Sequence, residues 1–237
     1  MKLKSTLAAC GCITALLFHP VVSSEQDSIP VKPVTLRGVP YSLLVVNNPT
    51  KIAVAGDTAV TITAPGRTNL FNAPDSGYYV QNAPRLCFKP DNAFLLTARV
   101  SARLTEIYDV AALVIYQDKD KWAKLCFENS ALKQTTIVSV VTANRYSDDC
   151  NSIKPDKDHI YFAIARKGAE FSFFCSPDYK SWELVRHFRL EGLNDQMTIG
   201  FAVHGSRRAK TDSFSGTFSE VTYSAKAPAN MRDIGTR

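Results

Sequence analysis

The sequence predicts an all-β fold: two antiparallel sheets packed face to face as a jelly-roll sandwich. Three observations carry this. About thirteen short segments rich in β-branched and aromatic residues recur at nearly regular spacing. Turn formers separate them, among them Pro65-Gly66, Pro74-Asp75-Ser76-Gly77, Lys89-Pro90-Asp91-Asn92 and Ser176-Pro177-Asp178. Only short pieces have helical character, so sheets stacked on sheets fit better than alternating strand and helix units.

The expected strands cover residues 52–54, 59–64, 78–81, 85–89, 94–104, 108–117, 122–129, 135–144, 160–166, 170–175, 182–190, 198–204 and 216–224. A chain of 237 residues suits one sandwich domain, placed at 43–225. Residues 25–42, with three prolines, read as an extended lead-in, and the polar residues 226–237 as a flexible tail. Residues 1–24 read as a secretory signal peptide. Lys2 and Lys4 precede an apolar run over 7–18, and Val22 and Ser24 occupy the small-residue positions before cleavage. A secreted or periplasmic protein follows, with a lipoprotein anchored at Cys10 of Leu7-Ala8-Ala9-Cys10 as the minor alternative. No later segment is apolar enough to span a membrane.

The formal charge is +6, and +4 once residues 1–24 are removed (26 basic against 22 acidic). Its one tight cluster, Arg207-Arg208 with Lys210, reads as a solvated loop, and no basic stripe with interleaved aromatics points to nucleic acid. Cys87, Cys126, Cys150 and Cys175 remain after cleavage. In an oxidising compartment they allow one or two disulfides, with three full connectivities open. No cysteine pair has zinc spacing, and the histidines are dispersed.

Most of the chemistry sits in the hairpin YDVAALVIYQDKDKWAKLCFENS, residues 108–130. Side chains alternate across a strand. Val110, Ala112, Val114 and Tyr116, with Ala123, Leu125 and Phe127, read as the core side. Pairing Gln117 with Trp122 sets Ile115 opposite Lys124, Leu113 opposite Cys126 and Ala111 opposite Glu128 on the other side. That second face then carries Asp109, Gln117, Trp122, Lys124 and Glu128. Asp148 and Asp149, read in a loop after residue 144, can hydrogen-bond sugar hydroxyls or hold a structural calcium. Ser176, Asp178 and Trp182 form a turn in which two short polar side chains bond backbone amides and the indole closes over them. For glycoside hydrolysis, Asp109 and Glu128 are the available carboxylate pair. No nucleophile triad assembles from local signals, and no catalytic residue is assigned.

Several motifs resemble a known family. Tyr108-Asp109 followed by Ala111 and Leu113, then Trp122 to Glu128, Val140-Val141-Thr142 before Ser147-Asp148, and Ser176-x-Asp178 with Trp182 and Arg186 recur in order in DUF1349, with a looser match at Thr68-Asn69-Leu70-Phe71. The resemblance covers about three quarters of the chain. It implies the concanavalin A-like lectin/glucanase superfamily and a concave sheet face for ligands. Ala112, Asp149, Tyr179 and Asn69 depart from the family pattern, which marks a divergent member with an altered rim. The resulting expectation is an exported, non-catalytic domain that binds carbohydrate or glycoconjugate, with no cofactor. Trp122 stacks on a sugar ring, Asp109, Gln117, Lys124, Glu128 and Arg186 bond its hydroxyls, and Asp148 orients it. The alternatives are a glycosidase or lyase using Asp109 and Glu128, and a surface module that docks a protein.

Overall fold

The computed structural model describes residues 33–235. In chain order the strands are β1 (Leu44–Val46), β2 (Lys51–Ala55), β3 (Ala59–Pro65), β4 (Leu70–Asn72), β5 (Tyr79–Gln81), β6 (Arg85–Phe88), β7 (Ala93–Ala102) and β8 (Asp109–Asp118). They continue as β9 (Lys121–Asn129), β10 (Thr135–Asn144), β11 (Tyr146–Asn151), β12 (His159–Lys167), β13 (Glu170–Ser176), β14 (Glu183–Arg189), β15 (Thr198–Gly205) and β16 (Ser213–Ser224). Sheet one runs β1-β6-β15-β8-β9-β10-β11, and sheet two runs β14-β13-β12-β7-β16-β3-β2. All pairings between these strands are antiparallel, and β4 and β5 form a separate hairpin. The molecule is a two-sheet antiparallel β-sandwich of jelly-roll type. The predicted signal peptide and Cys10 lie outside the described residues.

The core lies between the sheets. Ala111, Leu113 and Ile115 of β8 and Ala123, Leu125 and Phe127 of β9 face Phe162, Ile164, Phe173 and Phe218 of sheet two. Phe201 and Phe218 bring their rings to 4.7 Å across the interface. Each such buried aromatic contributes about 1.5–3 kcal/mol by leaving water.

The β8–β9 hairpin corrects the predicted register. Asp118 pairs Lys121 across a two-residue turn, but the register then shifts, so Tyr116 faces Trp122, Val114 faces Lys124 and Val110 faces Glu128. Gln117 is the inserted residue. A single bulge moves every later residue of one strand to the opposite face. The β9 faces are therefore as predicted, whereas on β8 it is Ala111, Leu113 and Ile115 that enter the core. Val110, Ala112, Val114 and Tyr116 lie on the outer side with Trp122, Lys124 and Glu128.

Other expectations also change. The predicted loop after residue 144 is the edge strand β11, paired along β10. The described part of the lead-in, from residue 33, adds Val34, Leu36 and Val39 to the main core. The tail is not free. Met231, Ala227 and Ile234 pack on Leu95, Ala163, Ala165 and Phe174, covering an apolar patch on the outer face of sheet two, and Ser172 donates to the Met231 carbonyl. All four cysteines of the described residues are free. Cys87 on β6 and Cys126 on β9 are three strand spacings apart, roughly 14 Å, well beyond disulfide reach. Among the described residues no helix is long and apolar enough to cross a membrane.

Candidate functional site

The outer face of sheet one divides in two. Toward the β8–β9 turn it is covered by the β4–β5 hairpin; toward the far end it lies open as a cleft of about 520 Å³. Tyr79 and Gln81 fasten the hairpin by donating to the Lys119 carbonyl (3.0 and 2.6 Å), and the buried Asn72 completes the attachment. Asn72 donates to the carbonyls of Lys119 (3.1 Å) and Arg145 (2.6 Å), accepts from Gln81 Nε2 (2.9 Å), and its backbone N–H donates to Ser147 Oγ (3.0 Å). Under this cover Trp122 is 0% exposed and packs with Leu70, Val114 and Val140. No face of its ring is open to a ligand, so the predicted sugar platform is a structural core residue.

The open half has a polar floor. Lys124, four residues before Glu128 on the same face of β9, reaches diagonally to His204 of β15, with Nζ 3.1 Å from Nε2. Burial lowers the His204 imidazole well below its ordinary 6.5, and the Lys124 charge presses the same way, so at neutral pH the ring is uncharged and Nε2 accepts the ammonium hydrogen bond. Glu128 is 8% exposed, and burial raises its carboxyl from 4.5 to about 7; Lys124 opposes the shift and Asp149 adds to it. Val138 and Val140 complete the floor.

Two walls rise from it. One consists of Tyr108, Ser206 and Arg207. Tyr108 holds the left-handed conformation at φ 63°, which is uncommon for a bulky side chain. Its N–H donates to the Asn129 carbonyl at 2.7 Å, and the Arg207 guanidinium lies 5.8 Å from its ring centroid. The other wall comes from the β4–β5 hairpin: Asn69, which donates to the Tyr78 hydroxyl at 3.2 Å, with Phe71, Asp75 and Tyr78.

The residues singled out in the sequence thus disperse. Lys124 and Glu128 meet in the cleft. Asp109 does not join them. It is fully buried at the start of β8, accepting from the backbone amides of Thr105 (3.0 Å) and Glu106 (2.9 Å) and from Arg208 Nε and Nη2 (both 2.7 Å). This ties down both loops of the Tyr108–Arg207 wall. Gln117, the bulge residue, bonds Asn194 twice, at 2.7 and 3.0 Å. Asp148 and Arg186 form an ion pair of 2.7 Å that joins the edge strands β11 and β14 of the two sheets. Asp149, its neighbour on β11, lines the cleft. Consecutive strand residues point to opposite faces, so the two aspartates do not converge on one calcium ion. Among the described residues no cluster of three or more His, Cys, Asp or Glu is arranged around a metal site. At the β13–β14 turn, Asp178 Oδ1 accepts from Ser176 Oγ and from the amides of Lys180 and Ser181, and those amides hold its carboxyl below the ordinary range. Trp182 packs beside the tail.

His204, Asn69, Phe71, Tyr78, Tyr108 and Arg207 were not singled out as site residues. Their convergence depends on strand order, which no local motif encodes.

The family described as "Protein of unknown function (DUF1349)" matches residues 45–226. The chain belongs to DUF1349. The DUF1349 match therefore spans β1 to the end of β16 except the first residue of β1, and includes every cleft residue. No curated protein matches. Among solved structures, a functionally unknown protein from Saccharomyces cerevisiae is 20% identical with a TM-score of 0.67, over 79% of this chain and 97% of that one. The GH43 protein BlXynB from Bacillus licheniformis is 10% identical (TM-score 0.56), over 70% of this chain and 33% of that one. A xylan beta-1,4-xylosidase from Bacillus halodurans C-125 is 12% identical (TM-score 0.53), over 69% and 32%. These likenesses show the β-sandwich fold of the DUF1349 domain. Its own cleft offers hydrogen-bond donors, carboxylates and ring faces around one buried ammonium.

Proposed function

We propose that the protein is an exported, non-catalytic carbohydrate- or glycoconjugate-binding domain, and that its ligand occupies the cleft on the outer face of sheet one. The observation that carries the reading is the combination of ring faces at the walls, Tyr78, Tyr108 and Phe71, with a polar floor of Lys124, His204 and Glu128. Sugars present C–H faces that pack on aromatic rings and hydroxyls that need convergent polar groups, and a cleft of this volume suits one or two rings. The strain held at Tyr108 supports the same reading, since such backbone persists where the position of the side chain matters. One structural neighbour is a xylan beta-1,4-xylosidase and another a GH43 protein, and this chain resembles about a third of each, which agrees with a carbohydrate context. A hydrolytic pair of Asp109 and Glu128 is disfavoured, because Asp109 is saturated by Arg208 and two amides outside the cleft.

The test is a glycan and polysaccharide screen with the chain from Glu25, comparing wild type with Tyr78→Ala and Tyr108→Gly. Glycine takes a positive φ without strain, so Tyr108→Gly keeps the wild-type melting temperature to within a few degrees while removing the ring. Saturable wild-type binding that weakens roughly tenfold or more in both variants is the expected result. A folded wild type that binds no glycan overturns the reading.

A further inference from the structure

We propose that the cleft selects a carboxylated sugar of the uronic-acid type, with the carboxylate seated between the Lys124 ammonium and the Glu128 carboxyl. This rests on the carbohydrate reading and adds the charge of the ligand. Lys124 is 3% exposed, lines the cleft, and among the described residues enters no ion pair. Its hydrogen-bond partner is a neutral imidazole, which accepts a proton but supplies no negative charge. A buried cation without a hydrogen-bonded anion keeps an uncompensated desolvation penalty, and an arriving carboxylate removes much of it.

Glu128 does not supply the missing charge below neutrality. It faces Lys124 on its own strand, Asp149 on β11 and His204 on β15, and the cleft walls add Tyr108, Arg207 and Asp75. Burial and the neighbouring acid keep it protonated up to about pH 7, and a protonated carboxyl is a donor. A ligand carboxylate then receives one hydrogen bond from an ammonium and one from a carboxylic O–H, both of the strong charge-assisted kind. The bound anion also raises the Glu128 proton affinity further, so near and above pH 7 binding is coupled to uptake of a proton. Affinity therefore falls as pH rises above about 7, where ionised Glu128 repels the ligand and neutralises Lys124 itself. Asp75 and Asp149 disfavour a multiply charged anion such as phosphate, whereas Tyr78 and Tyr108 favour one attached to a ring.

Calorimetric titration with a panel of uronic-acid oligosaccharides, each beside its carboxyl-reduced neutral counterpart, at pH 5.5 and 8, reads this directly. The expected result is a preference of roughly tenfold or more for an acidic member at pH 5.5 that shrinks at pH 8. Lys124→Met brings the pair toward parity, and Glu128→Gln flattens the pH dependence. If Lys124→Met does not fold, the wild-type comparison of each pair at the two pH values remains decisive. Equal or tighter binding of the neutral counterparts, or binding of other glycans with no uronic acid bound, overturns the inference while leaving the carbohydrate reading in place. No binding of any glycan overturns both.

Discussion

Asp109 accepts four hydrogen bonds, two of them from one guanidinium, while fully buried. Removing the charge from one side of a buried pair leaves the other uncompensated, so Asp109→Asn should destabilise the fold by about 3 kcal/mol, read from the urea midpoint. Because the same contacts fix the loops bearing Tyr108 and Arg207, ligand affinity should fall as well. Two other residues set the pH dependence of stability with opposite signs. The folded state keeps a proton on Glu128 up to about pH 7 that the unfolded chain releases near 4.5, so stability falls as pH rises through that window, to a limit of about 3 kcal/mol. The folded state refuses a proton at His204 that the unfolded imidazole binds below its ordinary 6.5, so that contribution is lost as pH falls. Near pH 5.5 the two slopes largely cancel. Glu128→Gln removes the first and exposes the second: between about pH 6.5 and 5 the variant should lose stability while wild type stays nearly flat, as denaturation across pH will show.

At the scale of elements, the β4–β5 hairpin decides what part of sheet one is open. Asn72→Ala leaves the Arg145 carbonyl without its side-chain donor and removes one contact each from the Lys119 carbonyl and the Gln81 amide, which still bond each other. A loss of about 1–2 kcal/mol follows, together with greater quenching of Trp122 fluorescence by iodide, since Trp122 lies beneath. An unchanged quenching constant in a destabilised protein would argue against the hairpin as its cover. The elements also show how far the sequence could be read. Strict alternation of β9 gave Lys124 and Glu128 a common face, which a single unpaired strand preserves. The opposite assignment on β8 failed at one residue: the bulge at Gln117 is stabilised by Asn194, far away in sequence, and nothing between 108 and 130 announces it. β11 escaped notice because YSDDCN has the composition of a loop and becomes a strand only by pairing with β10. His204 sits on an ordinary apolar strand, and only strand order brings it to Lys124.

Across the whole molecule, each sheet has an inner face buried against the other and an outer face that is partly covered. On sheet two the cover is the C-terminal segment around Met231. Truncation after Ser224 uncovers Leu95, Ala163, Ala165 and Phe174, so it should cost about 2–4 kcal/mol and promote self-association, measurable by light scattering. The sandwich itself was legible because turn chemistry and strand spacing are local properties. The cleft was not, since it is made where a hairpin stops covering a sheet. The two outer coverings also give the domain a front and a back. The cleft opens on one sheet while the segment around Met231 occupies the other, so anything that docks on the covered side meets that segment and leaves the candidate binding side clear.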